Sequence, residues 1–146
     1  NTIGATACPV LVIPEGYIAE RVEAVAYATN LSKSDPYQIW EAAEIFQPFN
    51  PILRVVHIDA TNRTEDDIAV EDLNAFFEGN PPAVQLTFHE IEGEKLSEEL
   101  EGLVENMGVD LLVMYKPKRG LFQRLFHKSQ TKFMSLHTRV PLLVLN

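Results

Sequence analysis

Only one cysteine, Cys8, occurs in this chain, and no acidic residue follows Asp110. A lone cysteine excludes an internal disulfide and a cysteine-based metal centre, and it fits a reducing compartment. Cys8 itself reads as a small apolar residue entering a strand. Apolar runs are short: Val140–Leu145 is among the longest, far below the roughly 20 residues of a membrane helix. The N-terminal residues show no basic segment followed by an apolar stretch, so the expected location is the cytoplasm. His57, His89, His127 and His137 lack metal-ligand spacing and read as core or hydrogen-bonded histidines. Neither a Gly-x-Ser-x-Gly turn nor paired carboxylates nor a cysteine–histidine arrangement is present. The expectation is therefore a protein that is not an enzyme, with no catalytic residues and no metal.

What is present is an ordinary globular composition, with 46% hydrophobic and 23% charged residues. The 146 residues suffice for one domain with a full core. The net charge of −9 is unevenly spread. Residues 1–110 carry 5 basic and 21 acidic side chains, whereas residues 111–146 carry 7 basic ones (Lys116, Lys118, Arg119, Arg124, Lys128, Lys132, Arg139). Such a basic tail on an acidic body favours an anion or acidic partner near the C-terminal third. Nucleic acid is not expected, since the acidic bulk repels a polyanion.

The chain also nearly repeats itself. Thr6, Pro9, Val10, Leu11, Val12 and Ile13 match Thr138, Pro141, Leu142, Leu143, Val144 and Leu145 at a constant offset of 132, with four of the six pairs identical. A self-match at one domain length is the signature of a duplicated unit. We expect residues 1–16 to be a terminal strand resembling the end of a preceding repeat, and residues 17–146 to form a complete unit.

Within that unit, strands are expected at Arg21–Thr29, Ile52–Ile58, Val84–Ile91, Asp110–Tyr115 and Val140–Leu145. Helices are expected from Ser34 (as cap) to about Phe46, over Glu65–Phe77 and Lys95–Met107, and from Ser129 to about His137. Alternating strands and helices imply a doubly wound five-stranded parallel α/β sheet with right-handed crossovers. Ligands in such sheets sit beyond the carboxyl ends of the strands where the strand order reverses. The loops that qualify follow Thr29 and Tyr115, and the second is the basic one.

At this point the chain resembles the universal stress proteins. The resemblance rests on Ala28-Thr29-Asn30-Leu31-Ser32, Val55-Val56-His57-Ile58-Asp59, Val109-Asp110-Leu111-Leu112-Val113-Met114 and Val140-Pro141-Leu142-Leu143-Val144. Arg124-Leu125-Phe126-His127-Lys128-Ser129 is similar to a variant of tandem members from the Bacteroidetes group, specifically their C-terminal unit. The resemblance implies a Rossmann-like fold and a stress-response binding or signalling role. Nucleotide-binding members carry Gly-x2-Gly-x9-Gly-Ser/Thr after the fourth strand, a cradle that brings backbone N–H groups close to phosphates. Here those positions hold Tyr115, Lys118, Lys128 and Ser129, so only the serine matches, and the family's acidic residue after the first strand falls on Asn30.

The expected reading is a degenerate nucleotide site with no bound cofactor, and a small anion held by Asn30, Tyr115, Lys116, Lys118, Arg119, Lys128 and Ser129. The alternatives are an ATP-binding or other nucleotide-binding protein with weak hydrolysis, or a purely structural dimerisation module. The expected partner is a second unit, in a homodimer or a tandem pair, through antiparallel pairing of Pro9–Ile13 with Val140–Leu145. Charged hydrogen bonds contribute about 1.5–3 kcal/mol each when sheltered, so two or three suffice for millimolar anion affinity, about 4 kcal/mol. Sulfate or phosphate should then raise the melting temperature more than chloride at matched ionic strength. Lys128→Ala combined with Ser129→Ala should abolish that difference, and the mutant comparison separates site binding from general salt exclusion.

Overall fold

A computed structural model of the chain describes residues 8–18, 21–29, 31, 33–59, 68–92, 96–115 and 139–145. In chain order the elements are β1 (Val10–Val12), β2 (Ala24–Thr29), α1 (Asp35–Phe46), a 3-10 turn (Gln47–Phe49), β3 (Ile52–Asp59), α2 (Val70–Gly79), β4 (Gln85–Glu92), α3 (Leu96–Met107), β5 (Leu111–Tyr115) and β6 (Leu142–Leu145). They form one sheet in the order β1-β6-β5-β2-β3-β4. Every pairing is parallel apart from β1 with β6, which is antiparallel. The expected five-stranded parallel sheet with an added N-terminal edge strand is thus the observed one. Among the described residues no helix is long and apolar enough to cross a membrane.

The near-continuous apolar strands follow from burial on both faces. On one face Val25, Tyr27, Leu53, Val55, Val113, Leu143 and Leu145 pack with Ile39, Ala42, Ala43 and Phe46 of α1 and Leu73 and Phe77 of α2. On the other face Ala26, Ala28, Val56, Leu112, Met114, Leu142 and Val144 pack with Leu100 and Leu103 of α3. Ala26 and Ala28 of β2 lie on the face covered by α3, whereas Val25 and Tyr27 meet α1 and α2 on the other. The amino ends of β2 and β5 are pinned by Asp110, whose Oδ2 accepts from Glu23 N at 2.9 Å and Ala24 N at 3.0 Å.

Several boundaries differ from expectation. Ser34 makes no side-chain capping bond, because its own backbone is already helical (φ −81°, ψ −19°) and a cap residue needs an extended one. Residues 68 and 69 are not helical, and α2 begins at Val70 after an extended Ala69 (φ −78°, ψ 153°). Cys8 leads into β1 as expected and is exposed there. The basic loop and the last expected helix, from Ser129 to about His137, lie outside the described residues.

Leu112 is fully enclosed in a central strand, whereas Ile18 is 80% exposed. Leu112→Ala should therefore destabilise the fold by about 2–5 kcal/mol, while Ile18→Ala should stay within about 0.5 kcal/mol. Urea midpoints at constant slope measure both.

Candidate functional site

The strand order reverses between β5 and β2, with the parallel register running to Ala28 opposite Met114. The two strand ends expected to frame a ligand, Thr29 and Tyr115, therefore do lie on neighbouring strands. The register continues across the sheet from Thr29 to His57 and from His57 to Glu90. Three polar side chains from three strands thus share one row at the carboxyl end.

The loop between β2 and α1 is held by a buried carboxylate. Asp35 accepts a hydrogen bond from the Tyr27 hydroxyl at 2.8 Å through Oδ1 and one from the Thr29 hydroxyl through Oδ2. The Thr29 oxygen in turn accepts from Leu31 N at 2.9 Å. Thr29 uses its hydroxyl in both senses, which fixes where its proton sits. Leu31 is buried in a left-handed conformation (φ 61°), an arrangement a branched side chain adopts only when its surroundings enforce it. Its carbonyl accepts from Ile68 N at 2.7 Å, which ties the segment before α2 to the same loop. Burial, followed by the Asp35 charge and its hydrogen bond, pushes the Tyr27 hydroxyl pKa well above its ordinary value.

Beside this loop lies a cavity of about 120 Å³ under α2. Leu31, Val55, Val70, Leu73 and Phe88 give it apolar walls, and Thr29, His57 and Glu90 supply polar edges. His57 is buried, and its Nδ1 has no hydrogen-bond partner. Glu90 Oε1 stands 3.4 Å from that nitrogen, near enough for charge pairing though outside hydrogen-bond geometry, and its side chain is mostly exposed. His89, which also borders the cavity, bonds Thr87 Oγ1 at 2.9 Å through Nε2. Burial and then the Arg54 charge lower its pKa, which favours the neutral ring. The histidines within the described residues are thus buried or hydrogen-bonded, as the sequence suggested. Among the described residues no cluster of three or more potential metal ligands occurs.

Of the expected ligand residues, Tyr115 is half-buried at the end of β5. Asn30, Lys116, Lys118, Arg119, Lys128 and Ser129 lie outside the described residues. Sequence reasoning missed Tyr27, Asp35, Glu90 and Phe88. A weak signal existed in Tyr27 and Thr29, which alternate with apolar residues on a buried strand and so require a buried partner.

No family model matches the chain, and no curated protein matches it. Solved structures do. A universal stress protein from Archaeoglobus fulgidus DSM 4304 is 17% identical with a TM-score of 0.67, over 97% of this chain and 50% of that one. A universal stress protein in complex with cAMP is 16% identical with a TM-score of 0.61, over 87% of this chain and 98% of that one. A protein of the same family from Burkholderia pseudomallei is 18% identical with a TM-score of 0.54, over 88% and 98%. The chain has the universal stress protein fold, and it spans half the length of the Archaeoglobus protein.

Tyr27→Phe removes the hydroxyl that donates to Asp35 Oδ1, which should cost about 1–3 kcal/mol at neutral pH. A raised folded-state pKa contributes stability that is complete below the unfolded value of about 10 and is lost as pH rises above it. The gap between parent and Tyr27→Phe in urea midpoint should therefore narrow from pH 8 towards pH 11.

Proposed function

We propose that this chain is a stress-response binding module of the universal stress protein family, that it acts without catalysis, and that its ligand joins one anionic group to a flat apolar body. The observation that carries this reading is the preformed cavity at the carboxyl ends of β2, β3 and β4, with apolar walls and the buried His57 ring at its edge. Apolar clefts with few convergent polar groups are the usual form of a small-molecule site. Thr29 borders both the cavity and the strand-order reversal between β5 and β2, and the basic segment 116–128 follows β5 in the chain. In that segment the large side chains of Lys118 and Lys128, with Tyr115 before them, stand where a nucleotide cradle has glycines. Bulk at these positions takes the room of a phosphate chain, while the Lys128 ammonium and the Ser129 hydroxyl suit a single anion. A mononucleotide such as AMP combines an anionic group with a flat ring system, and one protein of this fold was crystallised with cAMP.

A ligand at 100 times its dissociation constant stabilises a fold by about 2.7 kcal/mol. Melting temperatures with cAMP, AMP, ATP and sulfate separate the readings. The expected order is cAMP and AMP above sulfate and ATP, with the nucleotide effect lost in His57→Ala and the sulfate effect kept. A larger shift with ATP than with AMP points to a working triphosphate site, and no shift with any of the four points to a purely structural module.

A further inference from the structure

Arg54 is a charged residue within an apolar stretch of strand. β3 opens Ile52-Leu53-Arg54-Val55-Val56, and Arg54 pairs laterally with Ala26 of β2 and Thr87 of β4. Its side chain is half-buried, and its Nε is buried with no hydrogen-bond partner among the described residues. No ion pair to Arg54 occurs among those residues either, and Glu105 of the acidic helix α3 approaches Arg139 instead, at 4.0 Å. A guanidinium carries five N–H donors and keeps its charge throughout the physiological range. A buried donor of this kind needs an acceptor, and ions are among the groups that supply one.

The neighbours of Arg54 on its own face add a further donor. Along β4, Thr87 and His89 alternate with Phe88, whose ring meets Phe77 of α2 on the other side of the sheet. Val56, two residues beyond Arg54, and Ile91, two beyond His89, pack in the core under α3. Arg54, Thr87 and His89 therefore share the α3 face. Thr87 lies directly across from Arg54, at the strand spacing of about 4.8 Å. Thr87 Oγ1 and His89 Nε2 are 2.9 Å apart. With a neutral ring one of these two groups donates to the other, and one hydrogen is always left over. It is Nδ1–H when the hydroxyl donates, and the hydroxyl proton when Nε2–H donates. Burial and then the Arg54 charge lower the His89 pKa, so the guanidinium acts on this ring across the strand.

We propose that Arg54, Thr87 and His89 form an anion site on the α3 face of β3 and β4, and that it takes a tetrahedral oxoanion, a free phosphate or the phosphoryl group of a small monoester. Two guanidinium N–H groups hold two oxygens in a planar fork. The spare donor of the Thr87–His89 pair meets a third oxygen, which a phosphate has and a carboxylate lacks. Arg54 precedes His57 by three residues on β3, so this site is about 10 Å along the strand from the cavity and on the opposite face. It is independent of the ligand proposed for that cavity.

Titrating inorganic phosphate, methyl phosphate and acetate into the full chain tests this, at neutral pH and matched ionic strength, with the His89 ring and Arg54 Nε–H followed by NMR. Both resonances should move along one saturable curve with phosphate. A response to phosphate alone assigns the site to the free ion, and a response to methyl phosphate as well assigns it to the shared phosphoryl group. Acetate should bind about tenfold more weakly, for want of the third charge-assisted bond. Arg54→Gln should abolish the His89 response, and Thr87→Val should weaken phosphate binding about tenfold. Lys128→Ala combined with Ser129→Ala should leave the His89 response as it is, which separates this site from the basic segment. An unmoved His89 resonance, equal affinity for acetate and phosphate, or a response that survives Arg54→Gln overturns the proposal. Where circular dichroism shows Arg54→Gln to be unfolded, Thr87→Val decides, and phosphate affinity equal to that of the parent overturns the proposal.

Discussion

The carboxylate of Asp35 organises the working end of this molecule. A buried charge is tolerated only when hydrogen bonds replace its lost water, and Tyr27 and Thr29 of β2 supply two of them. That requirement draws the first turn of α1 onto the end of β2 and leaves Leu31 little choice but a left-handed bend. The bend presents the Leu31 carbonyl to Ile68 and its side chain to the cavity. One acid thus couples a strand, a helix start and two loops, so that the cavity wall is preformed and does not await a ligand.

The sheet supplies the second constraint. Parallel strands need crossovers, and the crossovers leave from opposite sides of the point where β5 meets β2. In-register pairing then lines up Thr29, His57 and Glu90 on successive strands without any of them being near another in the chain. At the opposite end, Asp110 clamps the amino ends of β2 and β5. Rigid packing below and polar side chains above are the general form of a site carried by a doubly wound fold.

The sheet edges are treated differently. β4 closes one side with alternating exposed and half-buried residues, many of them polar, which discourages further pairing. β6 is wholly apolar and buried, and it depends on β1 to satisfy its outer backbone groups. An apolar edge of that kind favours a partner strand, and β1 takes that place.

Much of the architecture was legible in the chain before folding. Apolar runs such as Leu111–Tyr115 and the matched segments Pro9–Ile13 and Pro141–Leu145 are local patterns, and local patterns survive into the fold. The sheet, the reversal at Thr29 and Tyr115, and the antiparallel edge follow from them. The burial of Asp35 left no mark in the sequence, because a carboxylate at a helix start suits the helix dipole equally well whether it faces water or the core. His57, Glu90 and Phe88 belong to strands separated by a helix and a loop, so no spacing in the chain announces that they border one cavity. Strand register and helix packing brought them together, since long-range pairing joins residues according to sheet order and not according to their distance along the sequence.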